Sequence, residues 1–242
     1  MGYLVVGLLI AGLAAAPLLA WARHLLASVP PEDAAPVALV GMGTPTLERP
    51  APTHLPIAIS PGWAASLRWG LCALLPLALW RGATMAHHLS PWVAALALIG
   101  CAAILALAAA IDGAAHLIFA EMLAIPAALA LLGGLAGGAW PTLLLGGVVG
   151  GGIMGVLYFV GQFIYGTDAL GWGDVQLGVA LGIVLGWPGI GRALVWGMLL
   201  LAAVTLGLLA TRRITTRSFV PLGSYFIGAA LASLLVLPPP WL

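Results

Sequence analysis

Residues 92–111 read WVAALALIGCAAILALAAAI, twenty residues with no charge and no proline. A bilayer core needs about 20 apolar residues to be crossed by one helix. Four such residues in a row would suit any core, but twenty without interruption specify a span. Working outward, similar stretches recur on both sides. The expected spans are Tyr3–Trp21, Trp63–Trp80, Trp92–Ile111, Leu117–Leu135, Trp140–Val160, Val175–Trp187, Ala193–Thr211 and Phe219–Leu237. The sixth is short, and Val184–Ile190 is expected to extend it. Trp and Tyr recur near these ends, as an aromatic belt requires. The expected fold is all-α, a polytopic transmembrane bundle of about eight spans with a six-span core.

Composition supports that reading. Of 242 residues, 63% are hydrophobic and 6% are charged, against roughly 25% charged in soluble domains. Too few charges exist to coat a water-facing surface. A formal net charge of +1 leaves no basic footprint for nucleic acid. Cys72 and Cys101 sit inside apolar runs and form no CxxC pair, so neither a disulfide framework nor a zinc site is expected. The start of the chain lacks a basic n-region, and Arg23 and His24 follow the first apolar run. An uncleaved first span with its N-terminus outside fits this better than a removed signal peptide.

The organisation then divides in three. Residues 1–62 hold the first span and a Pro-rich loop, SVPPEDAAPVALVGMGTPTLERPAPTHLP, with too few large apolar residues to build a core. Residues 63–91 hold the second span and an outer loop. Residues 92–242 hold the six-span core. Threaded this way, one side receives Arg23, Arg49, Arg212, Arg213 and Arg217, and the other Arg81 and Arg192, with Arg68 able to snorkel to the first side. Five against two makes the first side cytoplasmic. A prokaryotic cytoplasmic membrane is the expected location.

In so apolar a chain the acids carry the chemistry, because a carboxylate at the bilayer centre costs about 2.5–3.5 kcal/mol on insertion scales. Glu32, Asp33 and Glu48 are explained by solvation in the long loop. Asp112, Glu121, Asp168 and Asp174 remain near spans. Asp112 ends the third span in LALAAAIDGAAHLIFAEM, and Asp174 opens the sixth in YGTDALGWGDVQLGVALGIVLGW. Both fall at the same expected depth on the cytoplasmic side. Two carboxylates that meet there would share a proton. That is the acid/base requirement of an aspartic protease. Singly, Asp174 also reads as a helix N-cap and Asp112 as a membrane-boundary acid.

Spacing bears on that choice. Asp174, Gly178, Gly182 and Gly186 recur every four residues, so they share a helix face. A stripe without side chains lets another helix come close, and Gly147, Gly151 and Gly155 repeat the pattern in the fifth span. Gly171 and Gly173 would permit positive φ and close approach of a substrate backbone. His116 lies one helical turn after Asp112 if the helix continues, and Glu121 enters the fourth span. Both are candidate site-shaping or substrate-binding residues. Asp168 reads as a loop acid.

The segment Leu170–Trp187 resembles the second catalytic motif of the type IV prepilin peptidases, the GxGD-type intramembrane aspartyl proteases. Gly171, Gly173, Asp174, Val175 and Leu177, then Gly182 and Gly186, match it. Asp112 followed by Leu117 and Ile118 is similar to the first half of the family's first motif. Val220-Pro221-Leu222-Gly223 resembles its Pro-Phe-Gly-Pro stretch. The likeness covers roughly residues 92–237. Phe119 and Ala120 stand where the family has Pro and an acid or amide, and Gln176 stands for Lys. The early segment reads Leu19-Ala20-Trp21-Ala22-Arg23-His24-Leu25, without the family's Asn, and loop 22–62 has no Cys for a zinc module. The resemblance implies an endopeptidase with Asp112 and Asp174 catalytic and no metal or organic cofactor. It implies type IV prepilins or pseudopilins as substrates. It leaves methyl transfer and oligomeric state open. A proton-coupled transporter and a catalytically inactive assembly scaffold are the competing readings.

Overall fold

The computed structural model describes residues 16–28, 61–87, 89–115, 117–165, 171–211 and 222–242. The start of the first expected span, most of the Pro-rich loop with Glu32, Asp33, Glu48 and Arg49, and His116, Asp168, Arg212, Arg213 and Arg217 lie outside them. So does the side chain of Arg68. The described residues are helical throughout and contain no strand. The helices are α1 (16–27), α2 (Pro61–Met85), α3 (Pro91–Ala115), α4 (Ala120–Gly137), α5 (Trp140–Tyr165), α6 (Trp172–Leu185), α7 (Gly189–Ala210) and α8 (Leu222–Val236).

Four stretches among the described residues are long and apolar enough to cross a membrane: Pro91–Gly113, Ala120–Gly137, Trp140–Ile164 and Gly189–Ala210. They differ in what they face. The span in α3 is 61% buried and that in α7 only 17%, so α3 runs through the middle and α7 along the rim. Phe163, Val148, Trp196 and Leu206 point outward from α5 and α7. An exterior of bare aliphatic and aromatic side chains is a membrane protein's exterior. Trp92, Trp140 and Trp172 open their helices with exposed rings, at the positions an aromatic belt occupies.

Around α3 pack α2, α4 and α8, while α6 lies between α4, α5 and α8. The tightest seam joins α5 to α6, and glycine makes it. A Cβ on Gly182 would strike the carbonyl oxygen of Gly146, and one on Gly150 would strike that of Gly178. A Cβ on Gly178 would lie 2.6 Å from the carbonyl oxygen of Gly150. The two backbones therefore touch directly. Lipid gives no hydrophobic drive for helix association, so such close van der Waals contact supplies the attraction.

Three expectations are corrected here. The seam on α5 uses Gly146 and Gly150 together with Gly147 and Gly151, while Gly155 has nothing within 4 Å. The sixth span is not extended: α6 stops at Leu185, with Gly186 at φ 63° as its C-cap. A residue in that left-handed region cannot continue a helix, and glycine takes it without a Cβ penalty. The seventh helix begins at Gly189 rather than Ala193.

The segment after α8 folds back into the bundle. Trp241 is fully buried, and its indole N–H donates to the carbonyl of Val184 at 2.7 Å. A Cβ on Gly133 would meet the Trp241 carbonyl oxygen at 2.8 Å, so α4 gives way to the tryptophan by carrying glycine there. The Leu242 carbonyl accepts from the His87 N–H at 2.7 Å. Nearby, Arg81 donates to the carbonyls of Leu235 and Val236 at 2.6 and 2.8 Å, satisfying acceptors that a helix C-terminus leaves open.

In an exposed soluble helix Gly→Ala gains up to about 1 kcal/mol. At the seam the sign reverses. Gly182→Ala is expected to destabilise by about 1–3 kcal/mol through overpacking, while Gly155→Ala is neutral or stabilising. Unfolding of the purified chain in mixed micelles checks both.

Candidate active site

Asp112 lies near the C-terminus of α3 and Asp174 near the N-terminus of α6. Opposite helix directions thus bring residues far apart in sequence to one end of the bundle. Ile118, in the non-helical link between α3 and α4, packs between Gly173 of α6 and Gly223 of α8. It would contact a Cβ on Gly173 at 3.3 Å and one on Gly223 at 2.9 Å.

Asp112 is 4% exposed, and it is the one buried polar or charged side chain among the described residues. Burying a carboxylate requires donors, and α8 supplies them. Asp112 Oδ2 accepts the Ser224 backbone N–H at 2.6 Å and lies 2.8 Å from Ser224 Oγ. Ser224 is in the first turn of α8, where backbone N–H groups have no intrahelical acceptor and the dipole favours negative charge. The acid of one helix therefore caps another. Gly223 makes the approach possible, because a Cβ there would lie 3.0 Å from Asp112 Oδ2.

Asp174 is held locally and is half-buried. Helix α6 begins with Gly171 as N-cap, so Asp174 is the third helical residue rather than the cap. Its Oδ2 accepts the Gly171 N–H at 3.2 Å, and its own N–H donates to the Gly171 carbonyl at 3.1 Å. The carboxyl bond is one half of a capping box, and glycine has no side chain to return the other half. Gly171 has φ −78°, so its glycine is not there for positive φ, which corrects the expectation. It is exposed, and the nearest atom to an added Cβ would be Asp174 Oδ2 at 3.6 Å. Gly173 does serve close approach, to Ile118.

The other candidates are placed differently. Glu121 is exposed in the first turn of α4, where an acid interacts favourably with the helix dipole. No hydrogen bond joins it to the two aspartates among the described residues. His116 lies outside the described residues, which reach Ala115 on α3. A groove of about 260 Å³ runs between α4 and α6, on the face of α6 turned away from Asp174. Ala120, Ala124 and Ala127 line one wall and Gln176, Val179 and Ile183 the other. Trp172 stacks edge-on against Tyr158 with ring centres 5.6 Å apart.

Sequence reasoning missed Ser224 and gave Ile118 no role. A small polar residue opening an apolar run is a helix-start signal, and Ser224 in VPLGSYFIGAALASLL carries it. Nothing in that signal says which acid it would meet.

Gly223→Ala is expected to force Asp112 and Ile118 apart and to destabilise by about 1–3 kcal/mol. Gly228→Ala on the same helix, with nothing within 4 Å, is the neutral control in the same micelle unfolding measurement. Comparison of the chain with protein-family models, with curated proteins and with solved structures finds no match.

Proposed function

We propose that this chain is an intramembrane aspartyl endopeptidase that removes short basic leaders from type IV prepilins or pseudopilins. The observation that carries the reading is that Asp112 and Asp174 lie at one end of an apolar bundle, linked by Ile118, which packs against Gly173 next to Asp174 and against Gly223 next to Asp112. A boundary acid needs no partner, and a helix-capping acid needs no second carboxylate. Two acids from separate helices at one depth suit a reaction that needs a base and an acid together. The GxGD-like segment Gly171–Asp174 supports the same reading.

In the mechanism, one carboxylate is ionised and the other protonated. The ionised group takes a proton from a water molecule as its oxygen attacks the scissile carbonyl carbon. The protonated group gives its proton to the carbonyl oxygen. Collapse of the tetrahedral intermediate breaks the C–N bond: the carboxyl that took the water proton gives it to the departing nitrogen, and the other carboxylate takes the proton of the intermediate's hydroxyl as the new carboxyl group forms. The two carboxyls exchange roles in each cycle, so the pair titrates as a unit.

On this reading the active end faces the cytoplasm of a prokaryotic cell, where the arginine bias of the expected loops puts it. A basic leader would remain there while the pilin helix lies in the bilayer.

The test is coexpression with a prepilin from the same genome and the mass of the pilin produced. Asp112→Asn and Asp174→Asn are each expected to lower cleavage about 10²–10⁴-fold, the usual contribution of a general acid or base. The same mass reads any added methyl group. An intact prepilin beside folded wild-type protein overturns the reading. Proton-driven uptake by vesicles would then favour the transporter, and its absence the scaffold.

A further inference from the structure

Ser224 makes one contact more than its hydroxyl proton can serve. Its Oγ lies 2.8 Å from Asp112 Oδ2 and 3.0 Å from the Ala109 carbonyl oxygen. A serine hydroxyl has one proton and can also accept. The Ala109 carbonyl can only accept, and so can Asp112 when ionised. Both contacts are hydrogen bonds at once only when Asp112 carries the proton. Oδ2–H then donates to Ser224 Oγ, and Ser224 donates to Ala109. When Asp112 is ionised, the serine proton turns to Oδ2 instead. The heavy atoms need not move between the two states. The Ser224 backbone N–H, 2.6 Å from Oδ2, is compatible with both.

We propose that Ser224 is a positioning residue whose hydroxyl follows the protonation state of Asp112, holding that carboxyl in one place through proton gain and loss. The proposal rests on the aspartyl-protease reading. In that cycle each carboxyl is alternately base and acid, and a group that reorients at each transfer loses the benefit of preorganisation. Asp174 has no such partner among the described residues. Its side-chain bond comes from the Gly171 N–H, which can donate but never accept. The dyad is therefore built unequally, with one member supported in both charge states and the other in one.

Two readouts test this on the full chain in detergent or liposomes. Ser224→Ala removes the hydroxyl and keeps the backbone N–H. It is expected to lower kcat for prepilin cleavage about tenfold, the worth of a hydrogen bond to a charged group, with KM unchanged. Ser224→Thr, which keeps a hydroxyl, is expected to restore the rate. Independently of cleavage, the infrared carboxyl C=O stretch that disappears in Asp112→Asn is expected to shift in Ser224→Ala and to return in Ser224→Thr. A wild type that cleaves, with kcat and band unmoved in Ser224→Ala, overturns the role of Ser224 and leaves the protease reading standing. A band that shifts in a folded chain cleaving no prepilin upholds the Ser224–Asp112 coupling and overturns the protease reading. Loss of rate with no recovery in Ser224→Thr and no band shift assigns the serine to packing and overturns the proposal.

Discussion

The position of Asp174 depends on two backbones lying in direct contact. Helix α6 has only 14 residues, and it is held in place by its neighbours. Its Gly178 and Gly182 press onto Gly150 and Gly146 of α5 at distances where no side chain fits. This removes sliding freedom along the helix axis, because each glycine fits only opposite its partner. The first turn of α6 is thereby fixed relative to the rest of the bundle, and Gly171 finishes the placement by bonding the carboxyl itself.

Asp112 reaches the same place by another route. It is deep in the bundle on the central helix, and its donors come from α8, over a hundred residues later in the chain. A buried carboxylate without donors costs more than the packing around it can return. The Asp112–Ser224 contact therefore ties α3 to α8 as firmly as it orients the acid. Ile118 wedges between Gly173 and Gly223, so the two halves of the candidate site share one side chain. The α3–α4 link is a packed element of the site as well as a connection.

Much of this was legible before any coordinates. Spans are read from long uncharged runs, and helices α2 to α8 begin and end within a few residues of the expected ones. Asp112 and Asp174 stood out because isolated acids in apolar sequence are expensive. The glycine stripe Gly178–Gly182 was legible because glycine at a four-residue period has a geometric meaning. What escaped were features set by the partner. Helix α5 carries glycine at 146, 147, 150, 151, 152, 155 and 161, and period alone does not say which of them meets α6. Gly186 looked like a further member of the stripe, yet its positive φ ends the helix. Ser224 was invisible because the acid it serves lies on another helix.

The fold-back of residues 238–242 has a consequence for water. Trp241 fills the end of the bundle away from the two aspartates, held by Val184 and by the space that Gly133 leaves, and His87 closes over Leu242. Carboxyls that bind and release protons inside a membrane create a leak if they can exchange with both sides. A buried indole seated at the far end leaves no polar path there among the described residues. On the proposed reading, the tryptophan plugs the end of the bundle remote from the acids, as an insulator would.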